Sequence, residues 1–132
     1  MNAFIIQGRD RPGEIARVAE AIAQSGVNIT NAACITWGGS GAMAVLTNDD
    51  AGARKAIAGL GNEFREVELV PCSLDDRPGT LAEATRKLAD AGINVELVLP
   101  IGMSGGKVSV AFGTDDPAKT RTTLGAMVMA PA

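Results

Sequence analysis

The sequence predicts an α+β fold made of two βαββαβ units, each with an antiparallel sheet and helices on one face. The first observation behind this prediction is an internal repeat. Residues 10–29 and 76–95 align at an offset of 66 positions with eight identities in twenty, where chance gives about one or two. The second is that short apolar runs alternate with helical segments in each repeat, the order of a split βαβ sandwich. The 132 residues are therefore predicted to form a first unit at 1–66 and a second at 67–132.

The first half of the first unit follows from three local patterns. An apolar run at 3–7 predicts a strand, and the apolar residues at helical spacing after it predict a helix that ends at Gly26. Alternating apolar and polar residues then predict a second strand. One side of this strand is expected to carry Val27, Ile29, Ala33, Ile35 and Trp37.

The second half of the first unit starts with a Gly-rich hairpin turn at 38–41 and a strand at 42–47. Asp49 or Asp50 is expected to cap the second helix. The segment 64–74 has no composition typical of a linker. We therefore expect it to close the first sheet and to open the second.

The second unit repeats this order. A helix is predicted at 79–91, a strand at 93–101 and, after a Gly-rich turn, a strand at 107–112. The last helix is expected to open at 115–117, where Pro suits the first turn. Only 127–132 remains for a fourth strand, which is therefore predicted to be short or missing.

An Asp-Arg-Pro-Gly motif stands between the first strand and the first helix of each unit. Pro favours the first helical turn, and Gly permits a sharp change of direction. The start of a helix offers N–H donors to a carboxylate, and the Asp of the motif offers a negative charge to an ammonium group. An Asn opens the next strand and can both donate and accept hydrogen bonds. Together these groups, Asp10 with Asn28 and Asp76 with Asn94, would suit a zwitterion such as an amino acid.

The same motif also has a purely structural interpretation. Asp10 and Asp76 could be N-caps of the helices that follow. Arg11 and Arg77 could be solvated partners of nearby acidic groups. The residues by themselves leave both interpretations open.

The segments DRPGEIARVAEAIAQSGVNI and DRPGTLAEATRKLADAGINV resemble the opening motif of ACT domains, which are small regulatory modules that bind amino acids. The resemblance covers the chain as two tandem copies and implies two ferredoxin-like units. It also implies a ligand between two such units, in contact with the loop before the helix and with the start of the second strand. The implied ligand-binding residues are Asp10, Pro12, Gly13, Val27, Asn28, Asp76, Pro78, Gly79, Ile93 and Asn94.

The position two residues before the motif differs from some ACT domains, which carry a polar side chain there. This chain has Gly8 and Leu74 at the two places. Because of this difference the resemblance does not identify the ligand. The resemblance as a whole implies a stand-alone tandem ACT sensor of a small amino acid. The alternative is an ACT-pair adaptor that regulates a protein partner without binding a ligand. A homodimer is expected in either case, because the uncovered sheet edge of the second unit invites pairing.

Composition argues against several other functions. The chain has no His, and neither Cys34 nor Cys72 has an evident base beside it, so we predict no catalytic residue, no metal site and no cofactor. A net charge of −3 with no Tyr and a single Trp argues against a nucleic-acid surface. No apolar run approaches the ~18–20 residues of a membrane helix. A cytoplasmic protein with both thiols buried and reduced is predicted.

Overall fold

In the computed structural model, which describes residues 1–130, the chain divides into two compact units, Met1–Val67 and a second that begins at Glu68. Helices and strands follow one another along each unit in the predicted order. The elements are β1 (Asn2–Arg9), α1 (Glu14–Gln24), β2 (Ile29–Trp37), β3 (Ser40–Thr47), α2 (Asp50–Ala58), β4 (Phe64–Asp75), α3 (Thr80–Asp90), β5 (Val95–Ser104), β6 (Lys107–Thr114) and α4 (Pro117–Leu124), followed by a short 3₁₀ turn at Gly125–Met127.

In the first unit the strands lie in the order β2-β3-β1-β4, and β3 pairs antiparallel with both β1 and β2. Helices α1 and α2 pack on one face of this sheet. Apolar residues one turn apart on α1, Val18 and Ile22, face alternate residues of the strands, as expected for an amphipathic helix on a sheet. The buried core contains Phe4, Ile6, Val18, Ile22, Val27, Met43, Val45, Ala53 and Ile57.

In the second unit the strands lie in the order β4-β6-β5, and both pairs are antiparallel. Val128 forms a single antiparallel bridge with Cys72, and the Met129 N–H donates to the Pro71 carbonyl at 2.9 Å. Residues 131 and 132 of the segment considered for a fourth strand lie outside the described residues. The buried core contains Val70, Cys72, Leu74, Ala84, Leu88, Ile93, Val110, Phe112 and Leu124. The predicted α+β class, with antiparallel pairing and helices on one face, is therefore confirmed.

Strand β2 contains a β-bulge that changes the direction of its side chains. Ile29 pairs with Thr47, but Asn31 pairs with Leu46, so one residue of β2 is left over. An inserted residue moves all following side chains to the other face. The prediction that Ile35 and Trp37 continue the side of Ile29 is therefore wrong. These two side chains are 72% and 89% exposed.

The bulge also explains the positions of the two thiols. Cys34 is paired with the core residue Met43 and shares its face of the sheet, yet it is exposed because β2 is an edge strand. The expectation of a buried thiol is therefore wrong for Cys34. It is confirmed for Cys72, whose burial raises its pKa to about 11. No helix within residues 1–130 is both long enough and apolar enough to cross a membrane.

Candidate functional site

The Asp-Arg-Pro-Gly corner is anchored in the same way in both units. The Asp10 N–H donates to the Gly39 carbonyl at 3.1 Å, and the Asp76 N–H donates to the Gly106 carbonyl at 2.8 Å. Each acceptor lies in the hairpin turn that follows the second strand of its unit. The corner is therefore held against that hairpin by its backbone, and the Asp side chains remain exposed.

The glycine of each corner is the residue that precedes the helix. Gly13 has a φ of 88° and Gly79 a φ of 94°, in the left-handed region where a side chain is strained. Pro12 and Pro78 stand directly before them and are exposed. The motif thus places its Gly where the backbone requires one.

Neither α1 nor α3 has a side-chain cap. The interpretation of Asp10 and Asp76 as N-caps is therefore wrong. By contrast, the Asp49 side chain caps α2 by accepting a hydrogen bond from the Gly52 N–H at 3.0 Å, and Asp116 caps α4 in the same way. The first N–H groups of α1 and α3 have no partner inside their helices, and such groups favour an anion.

The predicted asparagines use their backbones to fix the start of the following strand. The Asn28 N–H donates to Oδ1 of Asn48 at 2.9 Å, and the Asn48 N–H donates back to the Asn28 carbonyl at 3.1 Å. In the second unit Asn94 exchanges the same pair of bonds with Asp115. The side chains of Asn28 and Asn94 are exposed. Their neighbours Val27 and Ile93 are core residues, and the N–H groups of these two residues already donate to the carbonyls of Ile22 and Leu88.

The two parts of the predicted site lie at opposite ends of a helix. Asp10 stands before α1 and Asn28 follows it, and α1 has 11 residues, or ~16 Å at 1.5 Å per residue. Asp76 and Asn94 are separated in the same way by α3. A single small amino acid therefore cannot contact both the Asp and the Asn of one unit.

A pocket of about 450 Å³, including the part open to solvent, lies beside the start of α1 in the first unit. The buried side chains of Ile6, Val18 and Met43 form apolar walls. Among the residues predicted to bind a ligand, Asp10 is the one that lines this pocket. Sequence reasoning missed the other lining residues, among them Gly8, Arg9, Glu14, Ile15, Cys34, Thr36, Gly41 and Asn62.

A buried carboxylate, that of Glu14, lies over Gly8 in this pocket. Nη2 of Arg17 donates to it at 2.6 Å, and Nε of Arg11 donates at 3.0 Å. The Asn62 side chain also donates to it, at 3.4 Å. The hydrogen bonds from Arg17, and next those from Arg11, hold the Glu14 pKa at about 2 although burial acts in the opposite direction. Glu14 is therefore ionised at neutral pH and already has two cationic partners.

The corresponding corner of the second unit has different chemistry. Thr80 replaces Glu14, and its hydroxyl donates to the Asp75 carbonyl at 2.7 Å. The Asp75 side chain pairs with Lys107, which lowers its pKa. The sequence does contain a signal for this difference between the two corners. Gly8 and Glu14 stand where the second copy has Leu74 and Thr80. An alignment that counts only identical residues does not draw attention to these two positions.

No group of three or more His, Cys, Asp or Glu residues within 1–130 is arranged to hold a metal ion. The polar groups around the two corners are instead the carboxylates of Glu14 and Asp75, which are paired with arginine or lysine, the exposed carboxylates of Asp10 and Asp76, and backbone N–H groups. Such groups suit a charged organic ligand.

No protein-family profile and no curated protein sequence matches the chain. Solved structures do match it. A protein of Bacteroides thetaiotaomicron aligns with a TM-score of 0.76 and 19% identity over 93% of this chain and 85% of that chain. The ligand-free regulatory subunit of aspartate kinase from Thermus thermophilus aligns with a TM-score of 0.67 and 20% identity over 93% and 87%.

The regulatory subunit of aspartate kinase from Thermus flavus aligns with a TM-score of 0.63 and 20% identity, over 93% of this chain and 86% of that chain. Identities this low establish a shared fold and not a shared ligand. The chain therefore has the fold of aspartate kinase regulatory subunits, which is the α+β arrangement that the resemblance to ACT domains predicts.

Proposed function

We propose that the protein is a non-catalytic regulatory module that binds a small amino acid at its Asp-Arg-Pro-Gly corner. The observation that supports this best is the uncapped start of α1 and of α3 beside an exposed Asp that takes no part in capping. The fold shared with regulatory subunits of aspartate kinase adds support. A corner built only for structure would use the Asp as a cap, as Asp49 does for α2.

The chemistry of binding follows from the two kinds of group at the corner. The N–H groups of the first helical turn hold the α-carboxylate of the ligand, and Asp10 or Asp76 holds its ammonium group. A charged hydrogen bond of this kind contributes about 1.5–3 kcal/mol, or ~10- to 100-fold in affinity. Binding regulates only if it favours one state of the protein over another.

The predicted site residues at the start of the second strand of each unit have a different role from the Asp. Asn28 and Asn94 lie a helix length away from the Asp of their own unit, as do the backbones of Val27 and Ile93. We assign them to a ligand held by the corner of a second copy of the chain in a homodimer. Their role then depends on assembly, whereas the role of the Asp does not.

The test is calorimetry of the purified chain against the twenty amino acids, followed by the variants Asp10→Asn and Asp76→Asn. At least one variant is expected to weaken binding ~10- to 100-fold. Glu20→Gln, which neutralises an exposed carboxylate on α1 outside the corner, is the matched control and should bind as the wild type does. Unchanged affinity in both Asp variants would place the ligand elsewhere.

A protein-binding adaptor without a ligand is the second candidate function. It is favoured by the exposed apolar end of β2, where Ile35 and Trp37 are 72% and 89% exposed, since exposed apolar patches mark interaction sites. Under this alternative no amino acid binds at millimolar concentration. Trp37 is the single tryptophan of the chain, so a blue shift of its emission would report a partner that covers it.

A further inference from the structure

We propose that the free edge of β2 binds the same edge of a second copy of the chain. The two β2 strands run antiparallel, and Cys34 of one copy lies opposite Cys34 of the other. The partner is therefore a second copy, joined edge to edge through the first unit. This inference involves no ligand and does not depend on the proposed function.

Strand β2 is the outer strand of its sheet, and no other strand of residues 1–130 covers its free side. Every residue from Ala32 to Trp37 is exposed. The segment 31–37 contains no Pro and no charged residue, although natural proteins commonly use both to block an edge. This edge therefore offers its backbone groups to another strand.

The hairpin turn after β2 determines which backbone groups point to the free side. Gly38 and Gly39 have φ values of 61° and 87°, the two positive values of a type I′ turn. Trp37 and Ser40 flank this turn and pair with each other. In a two-residue hairpin such flanking residues exchange backbone hydrogen bonds, so the groups of Trp37 point toward β3.

The direction of the backbone groups alternates along an antiparallel strand. The groups that point to the free side of β2 therefore belong to Ala32, Cys34 and Thr36. The regular part of β2 runs from Asn31, which follows the bulge, to Trp37, and Cys34 is its midpoint. Two identical antiparallel strands that use this whole length place Cys34 opposite itself and Ala32 opposite Thr36. Since each such pair exchanges two hydrogen bonds, the interface contains about six.

The side chains on the outer face are compatible with this register. Ile35, which is 72% exposed in the single chain, lies opposite Ala33 of the second copy. Trp37 lies opposite Asn31. Apolar pairs across antiparallel strands stabilise a sheet, and no like charges face each other here. The edge is therefore self-complementary, as a two-fold interface requires.

The equivalent edge of the second unit is blocked. Pro100 of β5 stands at the position of Cys34 under the offset of 66 residues. Proline has no N–H to donate and is tolerated at the edge of a sheet for this reason. Two bulges also interrupt β5, one after Val95 and one after Pro100, and bulges obstruct edge pairing. Each chain therefore has one open edge of this kind, and association through β2 stops at two copies.

Cys34 allows the register to be tested directly. In the proposed pair the two Cα atoms lie about 5.5 Å apart, within the range of a disulfide. Diamide takes two electrons and two protons from two thiols and leaves a disulfide between them. Treated wild type is expected to form a covalent dimer on a non-reducing gel, with Cys34 linked to Cys34 by mass spectrometry. Cys72 is buried and should stay reduced.

The matched control for the register is Trp37→Cys in a Cys34→Ser background. In the proposed pair the two substituted positions are ~20 Å apart along the strands, too far for a disulfide. This variant alone should therefore form no covalent dimer. Mixed with Asn31→Cys in the same background, it should form the link between the two different chains.

A second substitution tests the backbone bonds. Cys34→Pro removes one outward N–H from each copy and should weaken dimerisation at least ~10-fold in sedimentation. Met103→Pro is the matched control, because it removes an outward N–H from the edge of β5, where Met103 pairs with Val108 one residue before the turn-flanking pair. It should dimerise as the wild type does. Circular dichroism checks that both variants are folded.

The outcomes decide between this interface and another one. A wild type that sediments as a monomer at high micromolar concentration overturns the inference. A dimer that Cys34→Pro leaves unchanged also overturns it, as does a Trp37→Cys variant that links to itself as readily as wild-type Cys34. Dimerisation that Cys34→Pro weakens and Met103→Pro does not, together with the link between the two Cys34 residues, supports it. None of these measurements involves an amino acid, so the proposed function is decided separately by its own test.

Discussion

At the scale of single residues, Glu14 shows how a local difference between two copies changes chemistry. Its carboxylate is buried over Gly8 and hydrogen-bonded to Arg17 and Arg11. In the second copy a hydroxyl, that of Thr80, takes this place and bonds to the backbone. The first unit therefore has a buried carboxylate in the ion cluster at the start of α1, whereas the ion pairs of Arg77 and Lys107 at the start of α3 join exposed side chains.

The Glu14 cluster predicts a dependence of stability on pH. The pKa of Glu14 is lowered from an unfolded value of 4.5 to about 2 in the folded chain. Its contribution is therefore complete above pH 4.5 and is lost as the pH falls toward 2. Glu14→Gln should flatten the fall in the free energy of unfolding between pH 4.5 and 2, measured by urea denaturation. Glu20→Gln is the control, and an unchanged slope in Glu14→Gln would contradict the prediction.

The corner glycines predict a second effect at this scale. Gly13 and Gly79 have positive φ, and a Cβ at either place would meet no atom within 4 Å. Alanine there is therefore strained by the backbone alone, by roughly 1–2 kcal/mol. Gly59→Ala is the matched control, because Gly59 has a φ of −69° and room for a Cβ. Thermal unfolding should show a lower melting temperature for Gly13→Ala and Gly79→Ala and little change in the melting temperature of the control.

At the scale of elements, the four α-helices within residues 1–130 begin in two different ways. α2 and α4 start with an Asp whose side chain accepts a backbone hydrogen bond, whereas α1 and α3 start with a left-handed Gly. The sequence places an Asp near the start of all four. Only the backbone path between that Asp and the helix decides whether the carboxylate reaches the first turn.

This distinction predicts that similar substitutions at Asp49 and Asp10 change stability by different amounts. Asp49→Ala removes a cap and should destabilise the chain by about 0.5–2 kcal/mol. Asp10→Ala removes no capping bond and should change the free energy of unfolding by less than ~0.5 kcal/mol. Denaturant titrations of the two variants provide the comparison. If the free energy of unfolding falls as much in Asp10→Ala as in Asp49→Ala, Asp10 stabilises the corner and the prediction is wrong.

At the scale of the whole molecule, assembly is the property that the exposed strand edges suggest. β2 is an edge strand, and its last residues carry exposed apolar side chains. Unpaired edges of this kind favour association with another chain. The expected homodimer would also let the corner of one copy meet the Asn residues of another.

We predict that the protein sediments as a dimer at high micromolar concentration. Trp37→Lys, which places a charge on the exposed end of β2, should shift the equilibrium toward the monomer. Arg86→Lys on the outer face of α3 is the control and should leave it unchanged. A wild-type monomer at high micromolar concentration would contradict the prediction.

The order of elements and the caps could be predicted from the sequence because both depend on neighbouring residues. Helical spacing predicted α1 and α3, alternation predicted the strands, and Asp49 was identified as a possible cap, as the structure confirms. The corner glycines were also visible as a motif, since a positive φ is a local requirement. The sequence by itself therefore determined the features that the two copies of the repeat share.

Only the tertiary structure decided which way β2 faces and where the pocket lies. A single bulge after Ile29 turns Cys34 toward α1 and Trp37 away from it, and no local pattern marks that bulge. Gly8, Gly41 and Thr36 come together in one row across three strands, and the Glu14 side chain covers Gly8. Cross-strand register, unlike helix spacing, is set by residues far apart in the chain. For the same reason the sequence joined Asp10 and Asn28 in one site, while the fold places them at opposite ends of α1.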